Sequence, residues 1–194
     1  MSYTNIFGRF FRRKNKLIAL TAEDMAKQDR PRILIVDDDE DVLDMTQTFL
    51  ESRGCDVALA RSGEDALKAI EAAPPNLILL DVMMPKMDGF WLCRVIKSDP
   101  RFRLIPVIFL TAKDDAQSRM EGQKCGGDDY LTKPFDLDAL EVRIKAQLKK
   151  VSKLELVEQI EDLLGIAEPR GFLAKLDLDE LSILLNHIQE KQEK

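Results

Sequence analysis

The sequence has little of what most protein chemistry uses. A single histidine, His187, argues against a histidine-based metal centre or a Ser-His-Asp triad. The three cysteines, Cys55, Cys93 and Cys125, are odd in number and lack C-x-x-C spacing. They read as reduced cytoplasmic thiols rather than a disulfide framework. No run approaches the roughly 18–20 apolar residues that span a bilayer, and the N-terminus lacks the apolar core and small-residue cleavage site of a secretory signal. Basic residues (29) are fewer than acidic ones (35), for a net charge of −6, a poor balance for wrapping nucleic acid. What remains is a chain of 194 residues, 45% hydrophobic and 33% charged. That is the composition of a folded protein with room for one ordinary domain and appendages. Any chemistry it does falls to carboxylates.

Charge and periodicity divide the chain into three. Residues 1–30 carry seven basic and three acidic side chains, and residues 148–194 carry seven and ten. The middle, 31–147, is the most acidic part. It alternates short apolar runs with segments of helical spacing. RILIV (32–36), CDVALA (55–60), LILL (77–80), VIFL (107–110) and the short Tyr130–Leu131 read as strands. Between them, Val42, Met45, Phe49 and Leu50 recur at helical spacing before Gly54, and Ser62 with Asp65 begins a helix that Pro74-Pro75 ends. Helices are also predicted over 90–97, over 115–124 and from about Asp136. Five βα units in sequence predict a doubly wound α/β domain, a parallel sheet with helices on both faces.

In such sheets ligands sit beyond the carboxyl ends of the strands. The residues leaving those ends are Asp37, Asp38, Asp39, Glu40 and Asp41 after the first strand, and Asp81 after the third. Thr111 and Ala112 follow the fourth, and Lys133-Pro134-Phe135 the fifth. Carboxylates gathered at one rim repel, and a hard divalent cation with oxygen ligands, such as Mg2+, relieves the repulsion. A carboxylate beside such an ion can attack phosphorus while a lysine neutralises the transferring oxygens, and Asp81 is the natural nucleophile.

ILIVDDDEDVL, LILLDVMMPKMDG, VIFLTAKDD and GGDDYLTKPFDLDAL occur in this order and spacing. In this the chain resembles the receiver domain of bacterial two-component response regulators over roughly 31–147. The resemblance implies a flavodoxin-like five-stranded sheet of order 2-1-3-4-5. It also implies that Asp81 accepts a phosphoryl group from a phosphohistidine on a sensor histidine kinase or histidine phosphotransferase. Asp37 and Asp38 are implied to hold magnesium with Asp81 and the backbone carbonyl of Met83. Lys133 pairs with the aspartyl phosphate, Thr111 bonds a phosphoryl oxygen and moves on activation, and Tyr130 changes rotamer with it. The Lys133–Pro134 bond is expected to be cis. At Gly126-Gly127 the family more commonly has alanine in the second place.

Other readings of the acidic run fit less well. DDDEDV lacks the glycine an EF-hand needs at its sixth position. A haloacid-dehalogenase-type aspartyl-phosphate phosphatase would match Asp37 and Asp39 but not Asp41. Asp39, Glu40 and Asp41 suit the positive end of a helix. A stand-alone regulator signalling by protein–protein interaction is expected, with no turnover enzyme activity; the alternatives are a membrane- or scaffold-localised adaptor and the phosphatase.

From the last receiver helix onward, Leu140, Ile144, Leu148, Val151, Leu154, Val157, Ile160 and Leu164 form a long stripe, so that helix is expected to continue to about Leu164. It needs a partner: a second copy in a coiled-coil homodimer, or the segment Leu176–Gln189 folded back after a turn at Glu168–Gly171. This α-helical C-terminal extension of 148–194 is short and acidic for a helix-turn-helix output, so DNA is not expected as a partner and a downstream protein target is. Residues 1–22 are free of acid and mix Arg9, Arg12, Arg13, Lys14 and Lys16 with apolar and aromatic residues. That pattern suits peripheral contact with an anionic membrane or an acidic partner, or a flexible arm. Residues 23–30 read as a linker, and the location as cytoplasmic with or without membrane association.

Overall fold

The computed structural model describes residues 30–85, 87–112, 116–164 and 173–192. The readings for 1–22, for most of the linker and for the Glu168–Gly171 turn lie outside them. The chain divides into two compact units, one ending at Pro134 and the other beginning at Phe135.

The first unit is built on five parallel strands: β1 (Arg32–Val36), β2 (Asp56–Ala60), β3 (Leu77–Asp81), β4 (Val107–Thr111) and β5 (Asp129–Thr132). They lie in the order β2-β1-β3-β4-β5. β3 and β4 are buried along their whole length, which explains why their sequences are continuous apolar runs rather than alternating ones. Four helices connect the strands: α1 (Glu40–Ser52), α2 (Gly63–Ala72), α3 (Gly89–Ser98) and α4 (Ala116–Lys124).

Local chemistry sets the helix starts. The Asp39 carboxylate accepts from the N–H groups of Asp41 and Val42 at the start of α1. Ser62 accepts from Asp65 N and donates to the Asp65 carboxylate at α2, and Asp88 accepts from Phe90 N at α3. The antiparallel pairing of Met83–Met84 with Met87–Asp88 has no counterpart in the sequence reading. It is two residues long, too short for any hydrophobic periodicity.

The second unit holds α5 (Leu137–Leu164), a 3-10 turn at Leu173–Lys175 and α6 (Leu178–Gln192). Asp177 and Glu180 start α6 with reciprocal bonds: Asp177 N to the Glu180 carboxylate at 2.9 Å, and Glu180 N to the Asp177 carboxylate at 2.8 Å. α6 lies on α5 around Ile160, Leu173, Leu181 and Leu185. Leu154 and Leu164, counted in the stripe, stay about half exposed, and Leu156 and Leu163 pack in the hairpin instead. A straight helix of 3.6 residues per turn carries the stripe's outer members away from a fixed partner over this length.

Candidate functional site

The winding of the sheet reverses between β1 and β3, and a crevice opens there beyond the carboxyl ends of the strands. Asp37 follows the last residue of β1, its N–H continuing the ladder to Ala60 O at 3.1 Å. Asp81 is the last residue of β3. Both carboxylates are buried, as is Thr111 at the end of β4. Lys133 follows β5, and its N–H donates to Thr111 O at 2.6 Å, which holds the residue at the same rim. The Lys133–Pro134 peptide is cis.

Strand ends thus bring the charged groups together. The Lys133 ammonium lies 2.6 Å from Asp37 Oδ2 and 2.8 Å from Asp81 Oδ1. The other oxygens are held by the main chain: Asp39 N donates to Asp37 Oδ1 at 3.1 Å, and Met83 N donates to Asp81 Oδ2 at 2.7 Å. Burial pushes the Asp37 carboxyl above its ordinary range, against the opposing pull of Lys133 and the Asp39 N–H. Burial draws Lys133 down, but its bonds and attraction to Asp37 and Asp81 prevail and leave its pKa raised. The lysine is therefore a fixed cation at neutral pH.

Asp38 is exposed, yet it offers an oxygen that lies with one each from Asp37 and Asp81 inside a 4.8 Å cluster. Three carboxylates against one ammonium leave an excess of negative charge. An all-oxygen donor set of this size fits a hard divalent cation such as Mg2+. Tyr130 sits in β5, half-buried, with its ring 6.3 Å from that of Phe109. The Met83 side chain is exposed. Sequence reasoning did not find the open cleft of about 530 Å³ beside the acids, lined by Asp38, Met83, Met84, Met87 and Phe90 among others. Its only signal was the methionine-rich VMMPKM after Asp81.

A buried acid pair shared by one lysine, at the switch point of a flavodoxin-like sheet, defines a receiver-type module. The chain belongs to the response regulator receiver domain family, which it matches over residues 33–145. A putative response regulator from Chloroflexus aurantiacus has a similar crystal structure. It is 37% identical, with a TM-score of 0.59 over 61% of this chain and 98% of that one. Among curated proteins, Protein PilG of Pseudomonas aeruginosa is 37% identical over 68% of this chain and 97% of its own length. The DNA-binding dual master transcriptional regulator RpaA of Synechocystis is 39% identical over 70% of this chain and 56% of RpaA. The chain spans about half the length of several curated relatives it matches.

These relatives correct the expectation of a regulator that does not bind DNA. That expectation rested on the length and acidity of residues 148–194. A short acidic segment says what that segment can contact, whereas RpaA and its kin carry DNA-binding or transcriptional descriptions alongside a receiver like this one. No helix among the described residues is long and apolar enough to cross a membrane.

Proposed function

We propose that this chain is the phosphoacceptor of a two-component pathway, with Asp81 taking a phosphoryl group from a phosphohistidine of a sensor histidine kinase or histidine phosphotransferase. The observation that carries this reading is the single ammonium of Lys133 held between two buried carboxylates. An Asp81 oxygen forms the new bond to phosphorus as the P–N bond of the donor breaks, and the imidazole leaves with the electron pair. Lys133 stays beside Asp81 and offsets the added negative charge, about two units at neutral pH. Thr111, on the neighbouring strand end, donates its hydroxyl to a phosphoryl oxygen, and Tyr130 follows its movement. Bound by Asp37, Asp38, Asp81 and the Met83 carbonyl, Mg2+ would neutralise charge on the transferring oxygens.

The receiver in this reading is 31–147, preceded by an arm of 1–30 and followed by a helical extension of 148–194. The DNA-binding descriptions of its relatives favour control of transcription as the output. Incubation with acetyl phosphate and Mg2+ tests the phosphoacceptor role. One phosphoryl group per chain, absent in Asp81→Asn, is the expected result, and continued turnover of acetyl phosphate without a labelled protein contradicts it. Recovery of specific DNA fragments with the phosphorylated chain but not with Asp81→Asn tests the output.

A further inference from the structure

The cleft beside the acid site has a chemistry of its own. Met83, Met84, Met87 and Phe90 line it, and the exposed residues Asp38 and Asp88 add two carboxylates to its lining. The antiparallel pairing of Met83–Met84 with Met87–Asp88 holds the main chain of that lining. Met87 also packs its sulfur on Gly63, the first residue of α2, where a Cβ would overlap it. Met83 stays 56% exposed. Thioether side chains adapt to apolar groups of irregular shape, and the two carboxylates favour a partner that brings cations with its apolar groups. A cleft of about 530 Å³ has room for a few side chains.

The sequence supplies a segment of that complementary chemistry. Residues 1–22 contain no acid and five basic residues, Arg9, Arg12, Arg13, Lys14 and Lys16. Three of the chain's nine phenylalanines, Phe7, Phe10 and Phe11, stand among them, and a merely solvated basic arm has no use for so much aromatic surface. Residues 31–147 have the opposite balance, with 15 basic and 22 acidic side chains. Reach does not prevent a contact. Residues 12–31, which join Phe11 to the start of β1 at Arg32, extend to about 70 Å at most. A domain of about 100 residues is only about 35 Å across. The tether also keeps the arm near the cleft at about millimolar effective concentration, an advantage that a second copy of the chain or a membrane lacks.

We propose that the basic arm docks in the methionine cleft of its own chain, with Phe10 and Phe11 against the methionines and Arg12 and Arg13 against Asp38 and Asp88. The apolar contacts hold the segment and the charge pairs set its register. The contact needs no phosphoryl group, so it stands or falls separately from the phosphoacceptor role of Asp81.

The test uses the full chain with p-benzoylphenylalanine in place of Phe11, with no phosphoryl donor present. Irradiation followed by mass spectrometry locates the bridge, and an equal mixture of unlabelled and isotope-labelled chains separates bridges within a chain from bridges between chains. The expected product joins position 11 to the peptide containing residues 82–90 of the same chain. Replacing Arg12 and Arg13 by glutamate alters no residue of the sheet or its helices and is expected to lower the yield of that bridge about fivefold. An unchanged yield in this variant would overturn the proposal. So would bridges spread over the surface without preference for 82–90, or bridges between chains only. Absence of the bridge overturns it as well, and sedimentation of that chain with phosphatidylglycerol vesicles would then assign the arm to a membrane instead.

Discussion

Gly89 packs its α-carbon against the main chain of Asp81: a Cβ there would lie 2.2 Å from the Asp81 carbonyl oxygen and 2.9 Å from the α-carbon of Val82. The backbone of α3 thereby comes close enough to fix the strand end that presents the Asp81 carboxylate. Because the clash is with main chain rather than a movable side chain, Gly89→Ala is expected to destabilise the fold by about 2–3 kcal/mol. It should also slow phosphorylation by acetyl phosphate in the fraction that remains folded. Chemical denaturation and intact-mass labelling measure the two effects, and an unchanged midpoint would show that the contact is not tight.

Gly127 stands in a similar relation to a side chain. A Cβ at 127 would come within 2.3 Å of Phe109 Cε2. That ring also packs edge-on against Phe90, with centroids 5.1 Å apart. Gly127→Ala is expected to cost about 1–3 kcal/mol alone, and Phe109→Leu in the same chain should offset part of that loss. A double-mutant cycle with a coupling of about 1 kcal/mol or more between the two positions supports the contact, and additive effects contradict it.

The same pair shows where sequence reading stops. RILIV, LILL and VIFL announced the central strands because a strand covered on both faces must be apolar throughout. Asp37, Asp81 and Thr111 could be placed at one rim because each directly follows such a run, and Lys133 because it comes just after the short Tyr130–Leu131 strand. The smaller side chain at 127, by contrast, makes sense only once Phe109, on a different strand, is seen to fill the space. α4 was legible through its position between strands rather than its own pattern, since AQSRMEGQK has no apolar stripe. Reading the long C-terminal stripe placed Leu154 and Leu164 on a buried face they leave, because spacing alone does not fix which side of a helix its partner covers.

Asp37 gives the pH dependence its sign. Burial raises its carboxyl in the folded protein. Stability from a raised group is fully present below the unfolded-state pKa and is lost as pH rises through the folded one. Without metal, the protein therefore loses this contribution above the ordinary carboxylate range. Asp37→Asn cannot ionise, so in EDTA at neutral pH it is expected to melt above wild type. Lys133, itself raised, stays charged there and keeps Asp81 as its partner. Added Mg2+ should raise the melting temperature of wild type more than that of Asp37→Asn. A variant that melts below wild type in EDTA would reverse the assigned sign.

Thr46 is buried within α1, and its hydroxyl has no hydrogen-bond partner among the described residues. A buried hydroxyl left unpaired is a cost that a valine of the same shape avoids. Thr46→Val is expected to stabilise the protein by about 1 kcal/mol, a rise in melting temperature of about 2–4 °C. Calorimetry decides it, and a fall in melting temperature would show that the hydroxyl is satisfied in solution.

The phosphoacceptor role of Asp81 is tested most directly by locating the oxygen that receives phosphorus. Labelling the full chain with acetyl phosphate and Mg2+, reducing the acyl phosphate with borohydride and sequencing the peptides by mass spectrometry locates it. Homoserine at position 81 alone, absent when EDTA replaces Mg2+, is the predicted result. Homoserine at 37 or 38, or labelling that persists in Asp81→Asn, would contradict it.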